Sequence, residues 1–254
     1  MADRHLNIFY TYNIDNELIE NNLTRAFIVT LRILSDQVRD SFLRFLLEDI
    51  WRTTSDSIEL PTFGDSEFFL QGYMSKNQAR NSPYSYIVAI AGGRYEQVEA
   101  EVNSYVNSIP DAWIYSEKTG YCFLIEAKVG NNPFDDNQLY SHAKEWLGFL
   151  TPEQIRKHIL TITWVDVLQA IDRVRLSAEA AELPLNQQER LILDDLEEYL
   201  GFFDYKVFGG FDFEKLKTAP EFKLVGTKIS HSTIDLPAYS CLNTPPQFQL
   251  NVDS

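Results

Sequence analysis

Positive charge is what this chain has least of. Its 254 residues include 22 Lys and Arg against 37 Asp and Glu, a formal net charge of −15. A chain this acidic has poor nonspecific affinity for duplex nucleic acid at physiological salt. A DNA partner would have to meet a locally basic cleft, or be gripped by a protein partner or by a homo-oligomer of the chain. Cysteine is scarce as well: Cys122 and Cys241 make no disulfide framework, which fits a reducing, cytoplasmic compartment. The histidines, His5, His142, His158 and His231, show no zinc-ligand spacing with either cysteine. No segment approaches the roughly 18 uninterrupted apolar residues of a membrane span, and the start, MADRHLNIFYTYNID, has no basic region followed by an apolar run. The expectation is a cytoplasmic protein without membrane association. No internal repeat or low-complexity stretch is evident.

Apolar material is plentiful. With 44% hydrophobic and 13% aromatic residues, the chain can bury a sizeable core, and its length suits one core with an elaboration. The sequence places the core in residues 1–203 and a β-rich appendage in 204–254. The stretch with most chemical content is Pro110 to Gly130, PDAWIYSEKTGYCFLIEAKVG. It reads as a β-hairpin: an apolar run from Ala112 to Tyr115, a polar turn Ser116 to Gly120, then an apolar run from Tyr121 to Val129. Side chains alternate along a strand, so Phe123, Ile125 and Ala127 point one way and Leu124, Glu126 and Lys128 the other. A carboxylate and an ammonium thus share one face of a strand apolar enough to be buried, which costs several kcal/mol per ion unless both are paired. Asp111 lies across the hairpin from them.

Two carboxylates can hold a hard, oxygen-liganded cation, with a strand carbonyl as a further ligand, and a neighbouring lysine can position water and stabilise charge growing on a phosphorane. Pro110-Asp111 and Glu126-Ala127-Lys128 resemble the PD and ExK motifs of the PD-(D/E)XK nuclease superfamily. The helix-like segment from Asn137 to Phe149, opened by Gln138, matches the glutamine-led helix that often follows those motifs. The same acid-x-Lys pattern recurs at Asp204-Tyr205-Lys206 and Glu221-Phe222-Lys223, and the Glu221 copy has neither a Pro-Asp before it nor such a helix after it. The resemblance implies an α/β, restriction-endonuclease-like αβββαβ core with a mixed central sheet flanked by helices. It also implies dependence on Mg²⁺ or Mn²⁺ and hydrolysis of DNA phosphodiesters. Asp111, Glu126 and the Ala127 carbonyl would ligate metal, Lys128 would position water, and Gln138 and Glu20 would support the site. Bacteria use the family in restriction, repair and antiphage defence, so an effector subunit of such a system is implied. The alternative from another class is a catalytically inactive assembly subunit or DNA mimic acting through its acidic surface.

In chain order, Asp15 to Trp51 reads as one long helix or two in series. Glu20, Thr24, Phe27, Leu31, Leu34 and Val38 share one stripe. Glu20 is then either a contributor to the metal site or a glutamate that complements its helix dipole. Arg25, Arg32 and Arg39 recur at sevens on the flank, as a phosphate-tracking row or as a solvated face paired to Asp36 or Asp40. Ser66 to Met74 and Tyr84 to Ala91 read as strands, and Arg94 to Val106 as a short helix. Asp65 and Glu67 are either extra acidic ligands or ordinary turn residues. His158 to Trp164 reads as a strand; Asp166 to Leu176 and Asn186 to Phe203 read as helices with a break at Leu183-Pro184. Tyr205 to Phe211 and Phe222 to Ile229 read as the strands of the appendage. His142, one turn beyond Gln138, faces the same cleft, where recombination-type members of the family often carry tyrosine.

Overall fold

A computed structural model describes residues 7–10, 19–54, 59–71, 75–93, 109–130, 132, 134–149 and 151–207. All of them fall within the first of the two units into which the chain divides, Met1–Phe208 and Gly209–Ser254. The start of the expected helix, residues 15–18, the helix at 94–106, Cys241 and the strand at 222–229 lie outside the described residues. Of the strand expected from Tyr205, residues 205–207 are described and are not β.

The chain begins with two helices in series, α1 (Ile19–Ile33) and α2 (Asp36–Thr54). The open carbonyls at the break, Leu34-Ser35, are satisfied from within the fold. The last carbonyls of a helix lack intrahelical donors, and the buried Arg39 guanidinium supplies them, donating to Leu31 O at 2.8 Å and Leu34 O at 2.7 Å. Arg39 also reaches Gly64 O and Asp36. Arg39 therefore leaves the expected row as an internal clamp, while Arg25 and Arg32 are exposed.

Five strands follow: β1 (Glu67–Leu70), β2 (Tyr84–Ala91), β3 (Ala112–Ser116), β4 (Tyr121–Ala127) and β5 (Ile159–Thr163). They form one mixed sheet in the order β1-β3-β4-β2-β5. The hairpin β3–β4 is antiparallel, with Trp113 opposite Leu124, and β1 is antiparallel to β3. Strand β2 runs parallel to both β4 and β5. The central strands β2 and β4 are buried along almost their whole length, so their apolar runs continue on both faces, as strands covered on both sides must.

Alternation divides the core into two layers. Val88, Ile90, Phe123, Ile125 and Leu160 pack with α1, α2, α6 (Trp164–Glu179) and α7 (Gln187–Gly201). Ile87, Ala89, Trp113, Cys122 and Leu124 pack with Ala79 of α3 (Lys76–Asn81), Leu139 of α4 (Asp136–His142) and Ile155 of α5 (Pro152–Arg156). Burial pushes the Cys122 thiol up to about 12, which leaves it a packing residue. The short helices α3 and α5 escaped the periodicity reading, although each carries a capping box, Ser75 with Gln78 and Thr151 with Gln154. Helix α6 starts two residues before the expected Asp166, because Asp166 closes a capping box on Thr163. Among the described residues no helix is long and apolar enough to cross a membrane.

Candidate active site

Strands β4, β2 and β5 are parallel, so their C-terminal ends share one rim of the sheet, and antiparallel β3 begins there. In an open α/β sheet this rim is where side chains can converge without disturbing the core. Asp111 stands at the entry to β3, and its carboxylate accepts the Ala127 N–H at 2.9 Å. Glu126, near the end of β4, is 1% exposed. It faces the α4 side, as the alternation of β4 requires.

Among the described residues, three donors satisfy Glu126. Gln138 Nε2 donates to Oε1 at 2.7 Å, Lys128 Nζ lies 3.1 Å from the same oxygen, and His142 Nε2 lies 3.1 Å from Oε2. Gln138 and His142 are four apart on α4, hence on one face of the helix. Beyond His142 the helix widens into a π-helical turn, Ala143–Leu147, which Gly148 ends at φ +77°. Such turns concentrate at functional sites.

Lys128 bridges two elements distant in sequence. Its ammonium pairs with Glu126 and, at 3.4 Å, with Glu20 Oε2 in the first turn of α1. Glu20 Oε1 accepts from Asn132 Nδ2 at 3.1 Å. The Glu20 carboxylate is thus no further from that of Glu126 than the two Lys128 contacts laid end to end. Its direct partners among the described residues are Lys128 and Asn132. Asp65 and Glu67 are elsewhere: Asp65 accepts from Ser116 and pairs with Lys118 at the hairpin turn, and Glu67 is exposed on β1. Neither joins the site.

The loop after Lys128 is held from three sides, none of them apparent in the sequence. Trp164 Nε1 donates to Lys128 O at 2.9 Å, and the Tyr205 hydroxyl accepts the Gly130 N–H at 2.7 Å. Gly92, after β2, comes so close to Gly130 O that a Cβ there would lie 2.3 Å from it. Only glycine fits such an approach.

Electrostatics mark the cluster as short of positive charge. Asp111 is pushed up to about 7, first by burial and then by the charge of Glu126, with a smaller push from Glu20; the Ala127 N–H and Lys128 pull the other way. Burial would lower Lys128, but Glu126, Glu20 and Asp111 together outweigh it and raise its pKa. The lysine is therefore a bound cation. Among the described residues no three His, Cys, Asp or Glu side chains converge as a metal cage. The donors present, two carboxylates and the end of a strand, are hard oxygen ligands that suit an ion such as Mg²⁺, which keeps several waters. Comparison with family models, curated proteins and solved structures finds no match to this chain.

Proposed function

We propose that this protein is a Mg²⁺- or Mn²⁺-dependent endodeoxyribonuclease with a restriction-endonuclease-like core. The observation that carries the reading is the meeting of Asp111, Glu126, Lys128 and Gln138 from β3, β4 and α4 at one sheet rim, with Lys128 tied to Glu126 rather than paired away from it. With α2, α3, β2 and α5 set aside, the elements up to β5 run α1-β1-β3-β4-α4-β5, an αβββαβ order that supports the reading. Strand β2 is an addition seated between β4 and β5.

Asp111, Glu126 and the Ala127 carbonyl would hold the ion, which when bound supplies Lewis-acid stabilisation of a phosphate oxygen and a more acidic water. The chain's own groups do the positioning. Gln138 holds Glu126 Oε1, and Glu20 holds the Lys128 ammonium at the rim, where it can orient water and face negative charge developing on phosphorus. The acidic balance makes a protein partner or homo-oligomer part of the proposal, as the source of nucleic-acid affinity. The proposed setting is an effector subunit in bacterial restriction or antiphage defence.

The test is cleavage of supercoiled DNA, linear DNA and RNA in Mg²⁺, Mn²⁺ or EDTA, with Asp111→Asn and Lys128→Met as controls. Metal-dependent nicking of supercoiled DNA, lost in both variants, is the expected result. Equal cleavage by wild type and variants would reject the site.

A further inference from the structure

We infer that His142 is a positioning residue that sets the metal-facing oxygen of Glu126, an inference that rests on the metal-dependent reading above. An ionised carboxylate has about four acceptor positions, two on each oxygen. On Oε1, Gln138 and Lys128 occupy both. On Oε2, His142 occupies one. Among the described residues, the acceptor position left for a cation is therefore on Oε2, the oxygen that His142 holds.

The contact is built to be rigid. Both side chains are 1% exposed, so water cannot replace the bond. A carboxylate only accepts, so Nε2 carries the hydrogen and donates. His142 sits at the junction of α4 with the π-helical turn and comes from the same helical face as Gln138. One helix thereby grips both oxygens of Glu126. With the Glu126 side chain pinned at each oxygen, the open lone pair of Oε2 keeps one direction. A metal ligand held by an outer hydrogen bond of this kind typically loses 10- to 100-fold in metal affinity when the bond is removed.

The experiment is calorimetric titration of the full chain with MnCl₂, comparing wild type, Asp111→Asn, His142→Gln and His142→Asn, with a metal-free melt of each. Glutamine places an N–H donor where Nε2 stands; asparagine is too short to reach. The expected result is a roughly 10- to 100-fold weaker Mn²⁺ affinity in His142→Asn, with most of it restored in His142→Gln. Turnover at saturating metal should fall far less than affinity, a split that loosened packing alone does not produce. Wild-type affinity in His142→Asn overturns the inference and leaves the metal site standing. If His142→Asn fails to fold, the glutamine variant decides: a wild-type melt with affinity about tenfold weaker also overturns it. Wild type that binds no Mn²⁺, indistinguishable from Asp111→Asn, rejects the metal reading and this inference with it.

Discussion

Asp111→Asn should make the protein more stable at alkaline pH while removing its activity. The folded protein keeps the Asp111 proton up to about 7, against an ordinary value of 3.8. Between those values the folded chain binds a proton that the unfolded chain releases, so this group's contribution to stability falls as pH rises through the window. Each unit is worth ~1.4 kcal/mol, which makes the penalty above the window about 4 kcal/mol as an upper bound. An asparagine side chain at this position would carry no charge and would still offer an oxygen to the Ala127 N–H, but its amide must itself be buried. A net gain of about 2 kcal/mol near pH 8 is the working figure, a rise of roughly 4–8 °C in Tm for a chain of this size. Near pH 5 the folded Asp111 is protonated while the unfolded one is still mostly ionised, so about 1.6 kcal/mol of the penalty remains and the difference should fall by roughly 2–3 kcal/mol, to zero or slightly below. Thermal melts of both proteins in EDTA at pH 5 and 8 give the four numbers needed. Saturating Mg²⁺ should then raise the wild type alone, because a ligand that binds only the folded site stabilises it by mass action. A variant less stable than wild type at pH 8, or an equal difference at both pH values, would refute the reasoning.

Lys128→Met should abolish cleavage and cost roughly 1–3 kcal/mol in the metal-free protein. That is less than the ~3–5 kcal/mol of a fully broken buried pair, because Gln138 and His142 still serve Glu126; residual cleavage by the folded variant is the result to look for against it. Glu20→Gln should leave the fold intact and lower turnover by loosening Lys128, which a melt beside single-turnover kinetics will check. Arg39→Ala should destabilise by about 2–4 kcal/mol by orphaning the carbonyls that end α1, whereas Arg25→Ala should change the denaturation midpoint little. The isolated chain should bind a duplex of about 30 base pairs weakly and with steep salt dependence, and submicromolar binding at physiological salt would point instead to a basic cleft.

The hairpin, its two faces and the strands at 84–91 and 159–163 were legible in the sequence, because strand alternation and apolar runs are local properties. The pairing of Gln138 with the ExK strand was legible only through resemblance. His142 was within reach, since four-residue spacing puts it on the face of Gln138, but spacing cannot say that its ring meets the oxygen Gln138 leaves open. Arg39 shows the limit from the other side: a heptad-spaced arginine looks the same whether it faces solvent or caps the preceding helix, and only the way the chain turns from α1 into α2 decides. The same holds for Glu20, which meets Lys128 across 108 residues of chain, and for Tyr205, which reaches back to Gly130. Strand β2 lies inside the sheet, between β4 and β5, where both its faces are covered as its apolar run on both sides requires. Local periodicity determined which side chains share a face; sheet order and helix packing decided which faces meet, because those depend on burying the whole apolar surface at once.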